Sequence, residues 1–187
     1  MIYGLVTGFM HFWYRFWFNV KVAGLENIPK EGGVIVCGNH KSNHDAVLVA
    51  SFFGRKMKFL AKKELFGHGL EKFVRGLGGI PVDRQGTDIA AVKASLRTLK
   101  NGEPLLIFPQ GTRCKDLKEE DFKEGAPFMA IKAKVPVLPI GIGGEYKFGG
   151  GLTLNIGKPI DCANPELSID RLAQQIYKNI EELVKNG

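Results

Sequence analysis

Cysteine is scarce in this 187-residue sequence, with only Cys37, Cys114 and Cys162. They are too few for a disulfide scaffold and too widely spaced for a CxxC-type metal clip, so the chain reads as one for a reducing, cytosolic setting. Acid is also in deficit, with 19 Asp and Glu against 26 Lys and Arg, a net charge of +7. That balance points to an anionic partner: a nucleic acid, an acidic lipid surface or a phosphorylated metabolite. No RNP-type, helix-turn-helix or zinc-finger pattern accompanies it, and nucleic acid is the weakest of the three. Repeats, low-complexity tracts and Pro/Ser-rich linkers are missing too, which leaves one ordinary globular domain.

Aromatic residues are unevenly placed. Of the 19 in the chain, Tyr3, Phe9, Phe12, Trp13, Tyr14, Phe16, Trp17 and Phe18 fall in the first 20 positions, where an even spread would put about two. From Ile2 to Val20 no Pro intervenes, and Gly4, Thr7, Gly8, His11 and Arg15 recur at steps of three and four, a thin polar stripe on a helix. Such a helix is about 27 Å long, near the hydrocarbon thickness, yet spanning would bury Arg15 and His11. An in-plane interfacial helix suits the pattern better, with a helix packed on the protein's own core as the alternative. The leading basic residues and small-x-small site of a secretory signal are not seen. The expected division is therefore 1–19, an aromatic-rich membrane-anchoring helix, and 20–187, a globular domain.

Beyond the anchor, apolar runs bounded by turn residues alternate with helix-period segments, which predicts an α/β fold with a mixed, about seven-stranded sheet flanked by helices. The predicted strands are 20–25, 33–37, 58–61, 79–82, 104–108, 135–142 and 152–156. Ile89, Val92, Leu96 and Leu99 form a helical stripe opened by Thr87 or Asp88 and closed by Gly102. Ser168 caps a last helix that turns Ile169, Leu172, Ile176, Ile180 and Leu183 inward. Seven basic residues between Arg55 and Arg75 form either an ordinary solvated face or a patch suited to an anionic leaflet or an acidic carrier protein.

The polar cluster CGNHKSNHD, residues 37–45, directly follows the apolar run 34–36, where α/β proteins place their sites. Two pairings compete. His40 and His44 have the i, i+4 spacing of one helical face, whereas His40 and Asp45 diverge by about 140° on a continuous helix. For the second pair to meet, His40 must lie in a loop, with the helix beginning near Ser42 or Asn43. Asp45 would then orient the imidazole and leave its other nitrogen as a general base. A metal site would need a third ligand, and Lys41 puts a cation where a carboxylate would be needed, so no metal is expected. Downstream, GGIPVDR (78–84) and FPQGTR (108–113) each end an apolar run in a turn with an Arg. Gly111 lets backbone N–H groups approach a ligand, and Arg84 and Arg113 offer planar forks matched to phosphate oxygens.

Taken in order, NHKSNHD, GGIPVDR, FPQGTR and VPVLPIG resemble the four sequence blocks of the 1-acylglycerol-3-phosphate acyltransferases, within the wider glycerolipid acyltransferase superfamily. The resemblance covers about residues 20–160. It implies transfer of a fatty acyl group from acyl-CoA or acyl carrier protein to the free hydroxyl of lysophosphatidic acid, with no cofactor beyond that thioester co-substrate. It also implies His40 and Asp45 as catalytic residues of the family's His-x4-Asp motif, and Arg84, Gln110, Gly111, Thr112 and Arg113 as substrate-binding residues. The implied partners are membrane lipids and the acyl donor, and the implied location is the cytoplasmic face of the cell membrane. One position departs from the family: its usual Glu before Gly-Thr-Arg is Gln110 here. Gln brings an N–H donor and no charge.

Overall fold

A computed structural model describes residues 2–67, 69–83, 88–114, 116–164 and 166–187. Seven strands form one sheet: β1 (Lys21–Ala23), β2 (Val34–Gly38), β3 (Lys58–Lys62), β4 (Gly79–Val82), β5 (Pro104–Ile107), β6 (Val137–Gly143) and β7 (Thr153–Ile156). Their order is β1-β7-β6-β2-β5-β3-β4, and the neighbours are parallel except for the antiparallel pair β6 and β7. The sheet is therefore mixed and seven-stranded, as the sequence predicts.

Among the described residues six α-helices accompany it: α1 (Ile2–Trp17), α2 (Asp45–Phe52), α3 (Glu71–Gly76), α4 (Ile89–Lys100), α5 (Gly125–Ala133) and α6 (Ile169–Lys185). The period-2 geometry of the strands sorts their side chains between two cores. Val34 and Val36 of β2, Leu106 of β5 and Ile140 of β6 pack with Tyr14 of α1 and Leu48 of α2. On the other side Ile35 and Cys37 join Leu105, Leu99 of α4, Met129 of α5 and Leu172, Ile176 and Ile180 of α6. Burial on both faces explains why β2 and β5 are continuous apolar runs rather than alternating ones. Where α6 crosses β6, a side chain on Gly141 would lie 2.6 Å from the Leu183 backbone, so only glycine permits the approach.

Two sequence expectations need correction. Ile89 is 63% exposed, whereas α4 turns Ala91, Ser95 and Leu99 inward. The Ser95 hydroxyl donates to the Ala91 carbonyl at 2.8 Å, so it enters the core already satisfied. The helix after CGNHKSNHD begins at Asp45 with His44 at its cap, later than Ser42 or Asn43. The Ser168 and Asp88 caps do form, through Arg171 N–H and Ala91 N–H respectively; Thr87 lies outside the described residues.

The first helix serves two faces. Tyr14 is fully buried, and Tyr3, Met10 and Phe18 pack beside it. Tyr3 accepts the Met57 backbone N–H at 3.1 Å, and the His11 ring lies 4.4 Å from that of Phe52. Phe9, Phe12, Trp13, Phe16 and Trp17 stay exposed, with Trp13 stacked on Trp17. Three of the eight aromatics thus join the protein's own core, and the remainder form an outward apolar stripe. Among the described residues no helix is long and apolar enough to cross a membrane.

Candidate active site

Because β2, β3, β4, β5 and β6 run parallel, the loops that follow them gather at one edge of the sheet, the position α/β folds use for chemistry. His40 follows β2, the FPQGTR turn follows β5, and Tyr146 follows β6. Asn39 locks the first of these loops in place. Its buried amide donates to the Ile142 carbonyl at 2.9 Å and accepts the Ile142 N–H at 2.8 Å.

Leaving β2 in a loop brings the two ends of the His-x4-Asp spacing together. His40 Nδ1 lies 2.7 Å from Asp45 Oδ2, with 12% of the His40 side chain and none of the Asp45 side chain exposed. The same Oδ2 accepts the N–H groups of Lys41 at 2.6 Å and Ser42 at 2.8 Å. These bonds fold residues 40–45 around the carboxylate; they hold the loop before α2, and the cap residue His44 makes no side-chain bond to the helix. A carboxylate only accepts, so Nδ1 carries the imidazole proton and Nε2 is left with a free lone pair. His44 points elsewhere, its Nδ1 lying 3.3 Å from the Tyr14 hydroxyl. Of the two pairings the sequence allows, the structure forms His40 with Asp45. Among the described residues, no group of three or more His, Cys, Asp or Glu side chains is placed to hold a metal ion.

The FPQGTR turn braces His40 from the opposite side. The imidazole stacks on Phe108 with centroids 4.1 Å apart, and the His40 carbonyl accepts the Cys114 N–H at 3.0 Å. Gln110 is buried, accepts the His40 N–H at 3.3 Å and donates to the Asp116 carbonyl at 3.3 Å, so both ends of its amide are in use. Gly111 turns the chain with φ +68°, a conformation that strains other residues. Thr112 and Arg113 are exposed beside it. Arg84 lies outside the described residues.

A cavity of about 320 Å³ opens beside His40, walled by Leu60, Val92, Ile107 and Met129. The small residues Ala91 and Ser95 of α4 leave this space unfilled. Lys123 also lines it, with Nζ 3.1 Å from where a Gly111 side chain would begin. Sequence reading passed over Lys123, Asn39, Tyr14 and Tyr146. Asn39 lies inside the block NHKSNHD and Tyr14 among the N-terminal aromatics, but neither carries a signal of its role in the site.

The basic patch is partly structural. Arg55 donates to the carbonyls of Pro29 at 2.7 Å, Gly32 at 2.6 Å and Gly102 at 2.9 Å, stitching three loops together. Arg75 pairs with Glu71 at 2.8 Å and lies over Phe66.

A histidine set by a buried carboxylate, on the carboxyl side of an α/β sheet and open to an apolar cavity, is the arrangement of an enzyme that moves a proton next to an apolar substrate. Comparison with known proteins gives that enzyme its family. The chain belongs to the acyltransferase family, whose model matches residues 19–143. It is 31% identical to the 1-acyl-sn-glycerol-3-phosphate acyltransferase of Bacillus subtilis, over 78% of this chain and 75% of that one. It is 32% identical to a probable enzyme of the same name from Mycoplasma pneumoniae, over 77% of this chain and 55% of that one. The crystal structure of the 1-acyl-sn-glycerophosphate acyltransferase PlsC from Thermotoga maritima superposes with a TM-score of 0.79 at 30% identity, covering 97% of this chain and 76% of that one.

Proposed function

We propose that the chain transfers a fatty acyl group from an acyl thioester, acyl-CoA or acyl carrier protein, to the free hydroxyl of 1-acylglycerol 3-phosphate, yielding phosphatidic acid. The observation that carries the chemistry is the 2.7 Å contact between His40 Nδ1 and the buried Asp45 carboxylate at the mouth of an apolar cavity. The names of the similar proteins support the acceptor.

In this mechanism His40 Nε2 removes the hydroxyl proton as the oxygen attacks the thioester carbonyl, and Asp45 stabilises the imidazolium that forms. The tetrahedral adduct collapses by breaking its carbon–sulfur bond, and His40 returns the proton to the departing thiolate. Proton, electron pair and leaving group balance without a covalent acyl-enzyme, a metal or a redox group. The cavity beside His40 receives acyl chain, since its walls offer apolar contact. Arg113, exposed next to the His40 loop, meets the acceptor's phosphate together with Arg84, and the backbone of Gly111 and Thr112 completes that surface. Gln110 takes part by holding the turn.

The outward stripe of α1 supports placement at a membrane surface. Phe9, Phe12, Trp13, Phe16 and Trp17 form a side of the helix suited to the headgroup boundary, and both lipid substrate and lipid product reside there. The cytoplasmic face is where thioester donors are met.

The test is a donor-by-acceptor matrix with purified protein, read by lipid mass spectrometry. Phosphatidic acid formed from thioester and lysophosphatidic acid together supports the reading. Faster acylation of glycerol 3-phosphate or of a neutral lysolipid would move the acceptor, and thioester cleavage without any acceptor would overturn acyl transfer.

A further inference from the structure

We propose that Tyr146 is a positioning residue for the dyad, and that the loop carrying it ties the geometry of Asp45 to the seat of α1. The inference rests on the reading of His40 and Asp45 as the reacting pair. Oδ2 of Asp45 has three donors, His40 Nδ1, Lys41 N–H and Ser42 N–H, all from its own loop. Among the described residues, Oδ1 accepts only from the Tyr146 hydroxyl, at 2.7 Å and 101 positions further along the chain. Removing that bond leaves a buried carboxylate oxygen without its partner and frees the carboxylate to turn about its own axis. Burial, followed by the Asp45 charge, holds the Tyr146 proton well above the ordinary tyrosine range, so the hydroxyl stays a donor.

The loop between β6 and β7 is fastened at the end of α1. Gly149 N–H donates to the Trp17 carbonyl at 3.0 Å and Leu152 N–H to the Phe18 carbonyl at 3.3 Å. The Phe148 ring meets Trp17 edge-on at 5.0 Å, and Tyr146 sits between Phe18 at 5.8 Å and His44 at 5.6 Å. Lys41 Nζ donates to the Gly144 carbonyl at the start of the loop. A surface-facing tryptophan is thus two short links away from the carboxylate. The titratable groups gathered about Asp45 are His40 on its own loop, His44 at the cap of α2, Tyr14 on α1, Tyr146 on this loop and the Lys41 ammonium.

The experiment compares the native 187-residue chain with Tyr146→Phe, which keeps the ring and its packing, using palmitoyl-CoA and lysophosphatidic acid dispersed in detergent. The expected result is a roughly tenfold fall in kcat with both KM values held within about twofold, in a protein that melts a few degrees lower but stays folded at the assay temperature. With one donor gone, the negative charge on Asp45 is less dispersed and attracts the imidazolium more strongly. The acid limb of the pH–rate profile therefore moves to higher pH, whereas a smaller folded fraction would scale the profile without moving it. Native kcat with an unmoved limb would overturn the assignment, as would a loss seen only in KM. If His40→Ala retains native turnover, the underlying reading falls; if only Tyr146→Phe is silent, the positioning role alone falls. For the link to α1, Trp17→Ala is expected to lower kcat roughly threefold in the native background and to have little further effect beside Tyr146→Phe. Additive effects of the two substitutions would overturn that link.

Discussion

The side-chain carbonyl of Gln110 accepts the backbone N–H of His40 at 3.3 Å, while its amide donates to the Asp116 carbonyl at 3.3 Å. Two loops from different strands are thereby held by one buried amide, which must both accept and donate. The glutamate usual at this position in the family has no donor to offer when ionised. Gln110→Glu is therefore expected to destabilise this chain by about 1–3 kcal/mol, the cost of opposing a carboxylate oxygen to a carbonyl. Urea unfolding at neutral pH measures it. The deficit should shrink in acid, where a protonated Glu regains a donor; an equally stable variant at neutral pH would show that the turn does not depend on the amide.

Arg113 is exposed beside the His40 loop. Arg113→Ala is expected to raise KM for lysophosphatidic acid roughly tenfold through loss of a charge-assisted contact, with stability unchanged within about 0.5 kcal/mol. Steady-state kinetics with the acceptor varied checks it. An unchanged dependence on acceptor would remove Arg113 from the phosphate site.

The two faces of α1 make separable predictions. Removing the whole helix would strip Tyr14 from the core, so surface docking is better tested on the outward stripe. Phe9→Ser, Phe12→Ser and Phe16→Ser combined should abolish sedimentation with phosphatidylcholine–phosphatidylglycerol vesicles while the melting transition is kept. Tyr14→Ala should instead cost about 3–5 kcal/mol of stability, in the range of a large buried aromatic. Vesicle binding undiminished in the triple variant would contradict the interfacial role of α1.

Asp88 gives a pH-dependent contribution with a definite sign. Hydrogen bonds from the Asp83 and Ala91 N–H groups hold its carboxyl below the ordinary aspartate range. A carboxyl depressed in the folded state stabilises above its unfolded value, about 3.9, and loses that contribution as pH falls through the folded value. Asp88→Ala should therefore unfold at lower urea than the native chain at pH 7, and the gap should narrow as the pH falls below the unfolded value. A gap that persists or widens in acid would refute the assignment.

The sequence revealed the strands well because their signal is local. Residues 79–82 were bounded by glycines and a charged turn, and β4 occupies that range. The start of β6 moves from 135 to Val137 because Val135 N–H is used by the Ala130 carbonyl at the end of α5, a contact that periodicity does not display. Similarly, spacing alone left two pairings open and only the family resemblance chose His40 with Asp45; the physical reason, three donors converging on one carboxylate oxygen, is visible only in the fold. Ile89 misled because a stripe of large apolar residues outweighed Ala91 and Ser95, whose small size makes room for the cavity. Composition groups Tyr14 with the other N-terminal aromatics, since it cannot tell which side of a helix meets α2. Tyr146 left no local trace at all, its partner being 101 positions away.

The most direct test of the central claim is the turnover of His40→Ala, measured on purified, folded protein with acyl-CoA and lysophosphatidic acid at saturation. Loss of the base should lower kcat roughly 10²- to 10⁴-fold without loss of the folded state. Phosphatidic acid formed at the native rate by the folded variant would contradict the role of His40 and, with it, the mechanism built on its bond to Asp45.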